Sequence, residues 1–192
     1  MMRWKILQTL TNPKDSAWDN LLAQTFDSEV HADRKMGFLL SRDALKQCLL
    51  DFGHDLSIPE LKLENHSLLP SLPQFTISLS HSKDCAVALV AERKVFSSVG
   101  IDIEHKERLV KDMIIERISH SHDKKLRNIE IWCLKEAVFK ALMNTGKFEK
   151  IIDFSSIQLL THEWNHPDSG LWGEWEINQS GPYIVAKAFI KN

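Results

Sequence analysis

Between residues 99 and 143 the chain passes from VGIDIE (99–104) to IWCLKEAVFKALM (131–143), and these two runs decide the fold. The first alternates. Ile101 and Ile103 point one way and Asp102 and Glu104 the other, the period of a strand with one apolar face. The second is apolar nearly all round, the composition of a helix buried by its neighbours. Only Lys135, Glu136 and Lys140 carry charge in it.

Outward from this pair the pattern is mixed. Helices are expected at about 13–24, with Asn12 as N-cap and Pro13 as first residue, and at 33–51, 109–118 and 128–144. Strands are expected at 75–79, 86–91, 99–104, 154–160, 172–177 and 183–190. Residues 54–73 hold three prolines and no clear period, so they read mostly as loop. The order suggests two loosely similar halves meeting near residue 97. The expected fold is α+β: two similar α/β halves packed as a pseudo-dimer, each with a small antiparallel sheet and helices, and an active site between them. Residues 1–97 form the N-terminal half and 98–192 the C-terminal half of a single functional unit.

The 192 residues are 43% hydrophobic and 26% charged, the balance of a globular protein. Twenty-four Lys and Arg against 26 Asp and Glu leave a net charge of -2, which argues against a polybasic nucleic-acid binder. No apolar run approaches the ~20 residues of a membrane span, and no signal peptide is visible. The three cysteines are far apart with no C-x-x-C, so a reducing cytoplasm is expected.

Asp102 and Glu104, two apart on a strand, put two carboxylates on one face, roughly 6–7 Å apart at the backbone. Such a pair repels unless a cation lies between; otherwise it is a solvated outer face. With Glu136, three carboxylates could form an oxygen-rich site of the kind that suits Mg²⁺. Gly100 would let a ligand approach the backbone. Glu136 and Lys140 are four apart on a helix face, which by itself fits an ordinary surface ion pair. Arg34, Lys35 and Arg42 gather positive charge on one helix, either as a solvated face or as a phosphate site. His81 ends a strand, where a turn residue is as natural as a ligand.

ISLSHS (77–82), VGIDIE (99–104) and WCLKEAVFKAL (132–142), with RKMGFLLSRDAL (34–45), resemble in order and spacing the signature of the 4′-phosphopantetheinyl transferase superfamily. The similarity is to the monomeric, two-half members of the type that activates surfactin and enterobactin synthases. It implies an Mg²⁺-dependent transferase of the holo-carrier-protein synthase type. Such an enzyme moves the 4′-phosphopantetheine of coenzyme A to a serine of an apo acyl or peptidyl carrier protein and releases 3′,5′-ADP. By the same resemblance, Asp102, Glu104 and Glu136 hold the metal, and Glu136 and Lys140 are catalytic. Arg34, Lys35, Arg42, Ser80, His81 and Lys140 bind coenzyme A, with the N-terminal half taking its 3′-phosphate side. The implied protein is a cytoplasmic monomer without nucleic-acid or membrane partners. One departure stands out: where the family often carries a Gly-Lys-Pro turn, this chain reads SLLPSLPQ (67–74).

Alternative readings of the same residues are a coenzyme A or carrier-protein binding module without catalysis, and a metal-dependent phosphodiesterase or nuclease. HEWNH (162–166) fits the zincin motif H-E-x-x-H, which works only on a helix. Pro167 and the β-like runs around it predict a hairpin end instead. His120 and His122 fall in a polar linker and read as solvated.

Overall fold

The computed structural model describes residues 1–13, 15–26, 30–121, 123–148 and 152–192; His122 lies outside them. MRWKIL near the N-terminus, where no strand was expected, is a strand, β1 (Met2–Leu7). Met2, Trp4 and Ile6 pack on a buried cluster, the period-two signal of a strand. Its partner β3 (Cys85–Glu92) lies far along the chain, with Met2 opposite Ala91 and Leu7 opposite Ala86. β2 (Phe75–Ser82) pairs with the other edge of β3, giving a three-stranded antiparallel sheet in the order β1-β3-β2.

A second, five-stranded sheet contains β4 (Phe96–His105), β5 (Gln158–Leu159), β6 (Glu163–His166), β7 (Leu171–Ser180) and β8 (Tyr183–Lys191). Its order is β4-β8-β7-β6-β5. The helices are α1 (Ala17–Thr25), α2 (Ala32–Leu50), α3 (Asp112–Ile118) and α4 (Asn128–Met143). With β1 in place the halves correspond: strand, two helices, then a final strand pair. In both sheets the first strand lies beside the last, β1 against β3 and β4 against β8. β5 and β6 extend the second sheet on its far edge.

Alternation along the strands separates three buried layers. Ile77, Ala88 and Val90 face α2 through Leu45, Cys48 and Leu49. Ala186 and Ala188 face α4 through Cys133, Ala137 and Ala141. Between the sheets lie Val87 and Leu89 of β3, Val99, Ile101 and Ile103 of β4, and Val185 and Phe189 of β8. Fully burying a Val, Leu or Ile side chain stabilises by about 1.5–3 kcal/mol, so this middle layer is a principal bond between the halves.

Several expected boundaries move, each for a local reason. α1 starts at Ala17 because Asn12 and Pro13 belong to a turn. There the Asn12 carbonyl accepts from Trp18 Nε1 at 3.2 Å, and Thr11 is tied to Asp43 through its N–H at 2.6 Å. α3 starts at Asp112, leaving Leu109 almost wholly exposed. The strand expected at 154–160 shortens to β5, and its start is a 3₁₀ turn, Phe154–Ser156, because Asp153 accepts from the Ser155 N–H at 2.9 Å and caps it. HEWNH is not helical: residues 163–166 form β6, a strand between β5 and β7, followed by the 3₁₀ turn Pro167–Ser169. His162 stacks on Trp175 with ring centroids 5.3 Å apart, while His166 Nδ1 lies 2.8 Å from Ser169 Oγ. The zincin geometry is therefore absent. Among the described residues no helix is long and apolar enough to cross a membrane.

Candidate active site

β4 carries Asp102 and Glu104 on the face opposite Ile101 and Ile103, the face that α4 covers. Both carboxylates are buried, 5% and 7% exposed, so this is not a solvated strand face. Gly100 makes the close cover possible. A side chain there would stand 1.9 Å from the Ala137 carbonyl oxygen and 2.5 Å from the Ala141 nitrogen. The glycine expected to admit a ligand thus admits the α4 backbone instead. Ser98 Oγ seals the contact by donating to the Ala141 carbonyl at 2.5 Å.

That approach delivers Lys140 to Asp102. Lys140 Nζ donates to Asp102 Oδ1 at 2.7 Å, to Ser80 Oγ at 2.9 Å and to the Ile101 carbonyl at 3.1 Å. It does not form the simple helix-face pair with Glu136 that i,i+4 spacing allowed. Ser80 comes from β2 in the other half and donates to the same Oδ1 at 2.6 Å. Two further contacts join the halves here. Ser78 Oγ accepts from the Ile101 N–H at 3.0 Å, and Asn144 Nδ2 donates to the carbonyls of Ile77 and Val99 at 3.2 and 2.9 Å.

Two donors, Lys140 Nζ and Ser80 Oγ, converge on one oxygen of Asp102, yet Oδ2 is buried with no partner. Glu104 is ion-paired with Arg108, four residues on and half-exposed, whose guanidinium lies 5.6 Å from the Trp132 ring. Burial, then the charge of Asp102, pushes the Glu104 carboxyl up to about 7, against the pull of Arg108. Burial and Asp102 likewise raise Glu136. Carboxylates this crowded and this dry would be stabilised by further positive charge.

Among the described residues no three His, Cys, Asp or Glu side chains form a group ready to hold a metal ion. The physical reason lies in the pairing just described: protein cations already engage Asp102 and Glu104. The donors nonetheless suit Mg²⁺ in kind. They are all oxygens, and one of them, Asp102 Oδ2, is a buried orphan, which native structures rarely leave unmatched.

Beside the carboxylates lies a cavity of about 530 Å³ between α1, α2, the 62–66 loop and the end of β2. Arg34, Arg42, Ser80 and His81 line it. Arg42 is drawn in over Phe38, its guanidinium carbon 4.3 Å from the ring centroid. Its Nε is buried without a partner, and burial lowers its pKa to about 10. Partial burial, then Lys140 and Arg34, holds the His81 imidazole below its usual value. A second, more open groove of about 600 Å³ shares Arg34 and His81 and runs on to Lys83, Glu104 and Arg108. Lys35, grouped with Arg34 by sequence, lines neither.

Sequence reasoning missed Lys62 and His66, which also line the cavity. They sit in an aperiodic loop where Asn65 and His66 take left-handed φ of 47° and 63°, a conformation that pattern does not reveal. It also missed Arg108, whose i+4 spacing from Glu104 was a readable signal. A third omission is the pair Lys135–Asp123, 3.1 Å apart and fully buried. There Asp123 accepts from the N–H groups of His120 and Leu159 at 3.0 and 3.3 Å, and Lys135 donates to the carbonyls of Phe154 and Ile157.

Residues 98–186, which carry most of β4, all of α4 and the start of β8, match the family model of the 4′-phosphopantetheinyl transferase superfamily. That stretch, a little under half of the chain, is similar to the superfamily. A search of curated proteins returned no match. The superfamily is one of transferases, and the matched residues include Asp102, Glu104, Glu136 and Lys140. The cationic cavity is built from residues ahead of them, so the phosphopantetheinyl transferase match and the cavity are separate observations.

Proposed function

We propose that the protein transfers the 4′-phosphopantetheine arm of coenzyme A to a serine of an apo acyl or peptidyl carrier protein, releasing 3′,5′-ADP. The observation that carries this reading is the junction itself. A cavity lined by Arg34, Arg42, Lys62 and His81 opens beside a buried cluster of carboxylates and a lysine. A nucleotide bearing three phosphates needs the first, and displacement at one of them needs the second. In this reading residues 1–97 hold the 3′-phosphate side, 98–192 supply the chemistry, and the chain works as a single cytoplasmic unit.

Asp102, Glu104 and Glu136 are the residues that would hold Mg²⁺. Bound there, the ion supplies neutralising charge to the pyrophosphate as it becomes a leaving group. Lys140 Nζ, anchored on Asp102 Oδ1 and Ser80 Oγ, adds a fixed positive charge at the same place. Glu136, on the same α4 face one turn before Lys140, accepts the proton from the attacking serine hydroxyl. Burial and the charge of Asp102 raise its pKa, which makes it a stronger base than an ordinary carboxylate. Arg42 and His81 grip the 3′-phosphate at the remote end, where the contact is the same before and during reaction.

Incubation with coenzyme A, Mg²⁺ and a panel of apo carrier proteins, read by intact mass, tests this. The expected result is one phosphopantetheine added per carrier, lost when its acceptor serine is changed to alanine. Cleavage of coenzyme A without transfer would instead favour the phosphodiesterase reading. Coenzyme A binding with neither outcome would favour a binding module.

A further inference from the structure

Of the seven glycines, Gly37 alone lies inside a helix. On α2 it shares a stripe with Arg34 and Ser41, three residues before and four after, and both of those line the cavity. The place its side chain would fill is taken. A Cβ at residue 37 would stand 2.6 Å from His81 Nδ1 and 2.7 Å from His81 Cγ. The strand cannot retreat to make room, because β2 is pinned to β3 with His81 opposite Ala86. The imidazole would have to turn away. It stands where the two cavities meet, so turning it alters the passage between them.

We propose that Gly37 is a positioning residue: the gap it leaves in α2 seats the His81 ring at the junction of the two cavities, in the orientation that meets a phosphorylated coenzyme. This rests on the reading that coenzyme A occupies the cavity between α1 and α2. It adds a residue that touches no ligand and fixes one that does. Alanine favours helix over glycine, so a glycine serving only the helix would be improved by replacement, with coenzyme binding untouched.

The experiment is calorimetric titration of coenzyme A into the wild type, Gly37→Ala, His81→Ala and the double variant, with Tm and steady-state kinetics for each. Gly37→Ala should weaken coenzyme A by about tenfold, the scale of one charge-assisted hydrogen bond. KM should rise in parallel and kcat should stay within about twofold. In the double variant the loss should equal that of His81→Ala alone, since the ring that clashed is gone. Wild-type affinity in Gly37→Ala, or additive losses in the double variant, overturns the proposal. Should Gly37→Ala fail to fold, the double variant should fold again; if it does not, the clash with His81 is not the cause and the proposal falls. A wild type that binds no coenzyme A sinks the reading of the cavity. A wild type that binds it as tightly as Gly37→Ala sinks this inference alone.

Discussion

The two halves share a plan and differ in charge. Each is a strand, two helices and a closing strand pair, with the first strand beside the last. Each has one helix laid over its sheet. In the first half that helix, α2, turns Arg34 and Arg42 toward a cavity. In the second, α4 lies against the strand that carries Asp102 and Glu104, with only Gly100 and small alanines between. A fold this repetitive does not fix chemistry; the side chains at equivalent places do. The comparison shows where the two halves differ, and the proposed division of labour, one half gripping a phosphorylated ligand and the other acting on it, rests on that difference.

The sharpest way to break that division is at Asp102. Asp102→Ala removes the anchor of Lys140 and the orphaned Oδ2 together. It should lower kcat by at least about 10³-fold, beyond the usual worth of one oxyanion-type donor. Coenzyme A affinity should change little, and circular dichroism should report a native fold. Near-normal turnover would end the assignment of chemistry to the second half. Glu136→Gln should come next, at about 10²-fold in kcat, the usual contribution of a general base, with KM for coenzyme A nearly constant. A raised KM with unchanged kcat would move Glu136 to the binding side.

The third test needs no turnover. Glu104 sits at about 7 in the folded protein, above its ordinary 4.5. Between those values the folded state keeps a proton that the unfolded chain has lost, so stability falls as pH rises. In chelator, the carboxyl should cost the fold on the order of 3 kcal/mol across that window. Denaturant titrations at successive pH values, compared with Glu104→Gln, read it. Stability that rises with pH relative to that variant contradicts the crowding described for the second half.

The smallest expected effect lies in the first half. Arg42→Ala should weaken coenzyme A by about 1.5–3 kcal/mol and leave kcat nearly alone. With 3′-dephospho-coenzyme A the loss should vanish, because the group it holds is missing. A kcat effect with the 3′-phosphate preference intact would take Arg42 off the grip.

Much of this was legible beforehand. Strand alternation alone sets Asp102 and Glu104 on one face, and the apolar run 131–143 reads as a buried helix. What was not legible depends on distant partners. β1 is six residues long and pairs with a strand reached only after α1, α2 and β2, so local pattern gave it no support. The burial of Lys135 against Asp123 needs two segments folded together before either charge makes sense. Gly100 was expected to admit a ligand and admits the α4 backbone, because what approaches a glycine is a tertiary fact. Lys62 and His66 reach the cavity from a loop without period, where residue type carries no direction.

β4 borders only one strand within its sheet, and that strand is β8, with Glu104 opposite Ile184 and Asp102 opposite Ala186. As the chain leaves the ribosome, β1, β2 and β3 are all present to close the first sheet before α4 has been made. β4, though already synthesised, stays without its ladder until β8 follows. Asp102 and Glu104 thus emerge well before β8 and are among the last residues to be set in place. A nascent chain would first acquire a basic pocket without a reactive partner. Losing β8, which contains none of the candidate site residues, would disarm the protein as surely as losing Asp102.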